Sequence, residues 1–144
     1  MSGPSHVVVD GLSVAFGRGA ARRQVVKGLS FTVEPGRAVA LVGESGSGKS
    51  VTARSLVGLA GQGAAISARA LRYGDHDLLA LSESGWRRLR GQHIGFVLQD
   101  PMVSLDPLRP VGAEIIEALA AHGWGDRATR RRRALDLLRA AGFP

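Results

Sequence analysis

Residues 43–50 read Gly43-Glu44-Ser45-Gly46-Ser47-Gly48-Lys49-Ser50, and their types and spacing suit the capture of a phosphate chain. Glycines let a backbone curl tightly, so that successive N–H groups point inward as an anion nest. Lys49 adds a compact positive charge for the outer phosphates, and the Ser50 hydroxyl is the kind of oxygen that ligates Mg²⁺. A flexible Gly/Ser linker has a similar composition. It leaves the Lys-Ser ending unexplained, and also the apolar run Ala38-Val39-Ala40-Leu41-Val42 just ahead. A strand, then G-x-x-x-x-G-K-[ST], then a helix is the phosphate-loop arrangement. The candidate contacts are Gly43, Glu44, Ser45, Gly46, Ser47, Gly48, Lys49, Ser50 and Val51.

The elements that would position this loop follow from periodicity. Val7-Val8-Val9 and 12–16 read as strands, and 25–33 as another, ended by Glu34-Pro35-Gly36. The 38–42 run reads as a buried strand and Ser50 to Leu59 as the helix after the loop. Further strands are expected over 66–73 and 94–98. A short helix capped by Ser82 should reach Leu89. Helices are expected over 111–122 and from a cap at Asp126 or Thr129 to Ala141, with Gly142 as the stop. Asp100 and Asp106 each precede a proline and read as turn formers. Trp86 and Trp124 read as packing residues. Strand-rich first and helical last, the order suits an α/β nucleotide-binding core with an antiparallel β appendage and the start of a helical subdomain.

Composition narrows the class. The 144 residues are enough for one domain with a core, and no apolar run reaches the length of a membrane-spanning helix. The start of the chain lacks the pattern of a secretory signal, and there are no cysteines for disulfides or thiolate metal sites. A cytosolic setting is therefore expected. The four histidines show no ligand spacing. The net charge of +7 comes almost wholly from arginine, with 17 against 2 lysines. The run Arg130-Arg131-Arg132-Arg133 reads either as a solvated face with snorkelling stems or as a contact for lipid, nucleic acid or an acidic partner.

The stretch Leu89-Arg90-Gly91-Gln92-His93-Ile94-Gly95-Phe96-Val97-Leu98-Gln99-Asp100-Pro101-Met102-Val103-Ser104-Leu105-Asp106-Pro107 resembles the Q-loop region of ATP-binding-cassette ATPases. The QDPM-x-SL-[ND]-P run is similar to the dipeptide, oligopeptide and nickel importer branch of that family. The segments VVKGLSFTVEPGRAVALVGESGSGKS and LSESGWRRLRG are similar to it as well, so the resemblance covers nearly the whole chain. It implies a P-loop NTPase fold of cassette type, spanning 1–110 as β subdomain plus core and 111–144 as the start of the helical subdomain. It implies ATP and Mg²⁺ as cofactors, with Lys49 and Gln99 as catalytic groups. Ser50 and Gln99 would be metal ligands, and Phe16 the aromatic that stacks on adenine. A strand-end aromatic such as Phe16 could equally be an edge or core residue. The implied partners are membrane permeases, a second cassette subunit and an extracytoplasmic solute-binding protein, with no nucleic acid. The implied place is the cytoplasmic face of the membrane.

The resemblance also carries an expectation about extent. The family's LSGGQ-like signature, the Walker B strand ending Asp-Glu and the switch histidine are not found, so the chain corresponds to the N-terminal part of a cassette. It is expected to bind Mg·ATP without efficient turnover, and to leave an apolar sheet edge uncovered. Two other functions fit the loop less fully. One is a small P-loop kinase using Arg130 to Arg133 as a lid, and the other a non-catalytic nucleotide- or RNA-binding module.

Overall fold

The computed structural model describes residues 6–98 and 105–143. The chain forms two compact units, one ending at Trp86 and the other beginning at Arg87.

The first unit is built on an antiparallel sheet. Strand β1 (Val7–Phe16) is its centre, and β2 (Arg23–Val33) flanks it on one side. On the other side lie β3 (Ala65–Ser67) and β4 (Ala70–Tyr73), with β5 (His76–Asp77) beyond β4. The pairs Ser13↔Ser67 and Asp10↔Ala70 share one register. Thus β3 and β4 are one strand, as the 66–73 pattern suggests, interrupted where β1 bulges at Gly11.

That bulge has a physical signature. Gly11 and Gly28 sit at φ 65° and 59°, a backbone region that side chains disfavour. The β1–β2 register slips beside them, and serines on the facing strand accept the displaced N–H groups. The Gly11 amide donates to Ser30 Oγ at 2.8 Å, and the Gly28 amide to Ser13 Oγ at 3.0 Å. The Arg69 guanidinium lies over Gly11, 3.1 Å from where a Cβ would stand, and pairs with Asp10.

Alternation then sends Val9, Leu12, Val14, Val26 and Leu71 to one buried face. Helix α1 (Lys49–Ser55) packs there, burying Thr52 and Ser55. Both hydroxyls are satisfied within the helix, on the Gly48 carbonyl at 2.9 Å and the Val51 carbonyl at 2.8 Å. The helix ends four residues before the predicted Leu59, because the chain tightens and the Leu59 amide turns back to the Arg54 carbonyl at 2.8 Å. Helix α2 (Glu83–Leu89) begins at Ser82, whose hydroxyl accepts from the Gly85 amide at 3.2 Å.

Two expected strands do not form ladders. Residues 38–42 carry no sheet pairing among the described residues, and within 94–98 only Ile94 makes a bridge, to Arg90. A strand exists only by virtue of a hydrogen-bonded neighbour, and apolar character alone does not supply one. Val42 and Val97 stand 94 % and 93 % exposed as a result. The strands expected at 38–42 and 94–98 are thus not formed among the described residues.

The second unit is a helical hairpin of α3 (Val111–Ala121) and α4 (Arg127–Ala140). Asp106 does form a turn, its carboxylate accepting from the Leu108 amide at 2.9 Å. Glu114 and Glu117 of α3 hold this approach through the Asp106 amide and Arg109. Asp126, one of the two expected caps, accepts from the Thr129 amide at 2.8 Å. At the far end Gly142, at φ 87°, lets the Phe143 amide reach the Leu138 carbonyl at 3.0 Å. Trp86 is buried as expected, but Trp124 is 41 % exposed and contributes its carbonyl instead, to Arg130.

Two outcomes follow for stability. Leu71→Ala removes a side chain that is 1 % exposed and should cost about 2–5 kcal/mol in urea unfolding. The hydrogen bond from Arg69, reinforced by its charge and by Ser30, holds the Asp10 carboxyl below its usual 3.8 against a smaller desolvation effect. The folded chain therefore binds its Asp10 proton less tightly than the unfolded chain does. The resulting stabilisation is fully present above the ordinary carboxylate range and is lost as pH falls through the lowered value. Asp10→Asn should lower the melting temperature at neutral pH, and this difference should shrink on acidification.

Candidate functional site

The loop between residue 42 and α1 is held from below by β2. Gly48 is buried at φ 93°, the N-cap position of α1. A Cβ there would come within 2.9 Å of the Val25 carbonyl oxygen and 3.0 Å of Val26 Cγ2. The last glycine of the loop therefore rests directly on the backbone of β2, and no other residue fits between them. Thr52 fixes the same point from above, both its amide (2.8 Å) and its hydroxyl bonding the Gly48 carbonyl.

Above this contact the loop opens outward. Glu44, Ser45, Gly46 and Ser47 are exposed, with a turn closed by the Ser47 amide on the Glu44 carbonyl at 3.2 Å. Ser47 folds over Gly43, so that a Cβ on Gly43 would meet its Oγ at 2.7 Å. Lys49 Nζ reaches across the loop to the carbonyls of Gly43 (2.7 Å) and Glu44 (2.6 Å) and to Ser47 Oγ (3.3 Å). One ammonium thus draws both ends of the loop together, within the ring of residues the motif nominated. Helix α1 begins at Lys49, so the N–H groups of residues 49–51 lack carbonyl partners inside the helix and carry partial positive charge. Ser50 is exposed in that first turn, and Val51 is half-buried.

Two cavities of similar size lie in this unit, and their chemistry separates them. One of about 550 Å³ runs from Gly58 and Leu59 to Leu79 and Trp86 and has no charged lining. The other, about 530 Å³, is lined by Lys27, Ala40, Val42, Ser47, Lys49 and Thr52, among others. It contains both lysines of the chain and no carboxylate. Of these two, the second has the lining that suits an anion.

Sequence reasoning named Lys49 and the glycines because their spacing is a local pattern. It missed the β2 seat at Val25 and Val26, the Thr52 clamp and Lys27, none of which has a sequence signal of its own. Phe16 is half-buried and is not among the residues lining the lysine cavity. Its neighbour is the Gly61 turn, where a Cβ would lie 3.9 Å from Phe16 Cε1. Gln99 and Asp100 lie outside the described residues.

The oxygen chemistry of the loop also fits Mg²⁺. The exposed Ser50 hydroxyl has no partner among the described residues, and a hydroxyl oxygen beside phosphate oxygens is a hard donor of the type that ion takes.

The ABC transporter family model matches residues 26–142. The chain is 43 % identical over 136 residues to the dipeptide transport ATP-binding protein DppD of Escherichia coli K12, covering 94 % of this chain and 42 % of that protein. It is 36 % identical over 137 residues to the oligopeptide transport ATP-binding protein OppD of Bacillus subtilis 168, covering 94 % and 38 %. It is 43 % identical over 136 residues to the peptidoglycan transport ATP-binding protein YejF of Agrobacterium fabrum C58, covering 94 % and 25 %. The chain thus spans about two fifths or less of the length of these curated relatives.

Gly48→Ala tests the seat. It places a side chain in left-handed backbone, at roughly 1–3 kcal/mol, and against a carbonyl that cannot move without disturbing β2. Binding of ATP should fall below detection in an equilibrium titration, while Gly46→Ala, which bears the same left-handed strain at φ 80° but meets no atom within 4 Å, should retain more affinity.

Proposed function

The chain belongs to the ABC transporter family, and we propose that it forms part of the ATP-binding subunit of an importer for peptides or a related small solute. The observation that supports this most is the loop itself, with Lys49 bridging Gly43 and Glu44 over a glycine seated on β2. The loop amides and Lys49 bind the phosphate chain of ATP and orient it. Ser50 would hold Mg²⁺, which when bound would offset charge on the phosphate oxygens. Gln99 is assigned to the metal and the attacking water, and Phe16 to the adenine, on the family pattern. Permease subunits, a second cassette subunit and a solute-binding protein are the proposed partners, at the cytoplasmic face of the membrane. No helix among the described residues is long and apolar enough to cross a membrane.

The solute class is proposed from the printed functions of the relatives. Identity is 43 % to a dipeptide transport protein and 43 % to a peptidoglycan transport protein, so these residues favour a peptide-like solute and do not rank its size.

Lys49→Ala removes charge-assisted hydrogen bonds and should weaken ATP binding on the order of a hundredfold, with melting temperature little changed. In cells disrupted in the gene, uptake of a required dipeptide should fail. It should return with the wild-type gene and not with the Lys49→Ala form. Unaltered uptake in the disrupted cells would contradict the importer role.

A further inference from the structure

Helix α4 is strongly cationic. Six of its fourteen residues are arginine against one acid, Asp136. Arg130 is committed locally, its guanidinium donating to the carbonyls of Trp124 and Gly125 at 2.7 Å each. The other five differ. Arg127, Arg131, Arg132, Arg133 and Arg139 are exposed and make no ion pair or side-chain hydrogen bond with any described residue. Arg127 also stands in the first turn, where the helix dipole disfavours a cation. Five like charges on four turns of helix repel one another, and the one carboxylate of the helix, Asp136, at i+4 from Arg132, i+3 from Arg133 and i−3 from Arg139, offsets a single charge among them.

Their arrangement is specific. Ala134 is the buried residue of α4, facing inward. Leu135, beside it, is 49 % exposed, and its neighbours on the helix surface at i−4, i−3 and i+4 are Arg131, Arg132 and Arg139. Two further exposed apolar side chains, Trp124 and Phe143, lie just beyond the two ends of the helix. Arginines around an outward leucine match a surface that is anionic at the phosphate level and apolar just beneath it. A nucleic-acid backbone complements the charge but offers nothing to Leu135.

We propose that the Arg131–Arg132–Arg139 face of α4, centred on Leu135, docks on the anionic phosphate surface of a lipid bilayer. Guanidinium groups pair with lipid phosphates, and Leu135 enters the interface between them. This inference is independent of the ATP site.

Flotation of the full chain with vesicles provides the test, using phosphatidylglycerol against pure phosphatidylcholine and a labelled single-stranded RNA as competitor. Binding should occur on the phosphatidylglycerol vesicles only and should weaken as salt rises. Each basic side chain near such a surface contributes about fivefold in partition. The Arg131→Ser/Arg132→Ser/Arg139→Ser variant should therefore lose on the order of a hundredfold, and Leu135→Ser severalfold, both with wild-type helicity by circular dichroism. Absent or equal binding to the two vesicle types overturns the proposal. So does displacement of the chain from vesicles by the RNA, or wild-type partition in either variant.

Discussion

A glycine pressed against a backbone carbonyl is the constraint on which the proposed ATP site depends. Gly48 sits 2.9 Å (as a notional Cβ) from the Val25 carbonyl, in a backbone region that side chains avoid. Thr52 pins its carbonyl from the other side with two hydrogen bonds. The loop's path, the start of α1 and the reach of Lys49 all follow from that fixed point. β2 in turn is placed by β1, whose slips at Gly11 and Gly28 are stitched by Ser30 and Ser13. The antiparallel sheet thus acts as a platform. It gives the phosphate loop a rigid floor while Glu44 to Ser47 stay open to solvent.

How much of this was legible in the sequence depended on how local the cause was. The loop, the Asp126 cap, the Gly142 stop and the Asp106 turn are set by residue type over four to eight positions, and each forms where expected. The 38–42 and 94–98 strands are different. Their apolar pattern is real, but pairing is a property of two segments, and neither finds a ladder among the described residues. The same limit hid the β2 seat: Val25 and Val26 look like ordinary strand residues until Gly48 is seen against them. Helix α1 ends early for a local reason that periodicity does not carry, the turn-back of Leu59 onto Arg54.

The two units carry different electrostatics. In the first, both lysines line one carboxylate-free cavity, which concentrates positive potential where the motif places phosphate. In the second, positive charge is spread outward on α4, where Arg127, Arg131, Arg132, Arg133 and Arg139 make no ion pair with a described residue. Positive charge is thus divided between a cavity of the first unit and a helix surface of the second. This division explains why the net charge of +7 gave an ambiguous message when taken as a single number.

Amide hydrogen exchange on the chain with and without Mg·ATP tests the central claim most directly, that the β2-seated loop holds the phosphates through its own backbone. Protection should appear at the amides of residues 46–50 and extend to Val25 and Val26 beneath them. It should be absent in the Lys49→Ala form. Protection confined to other parts of the chain, or none at saturating nucleotide, would contradict the account.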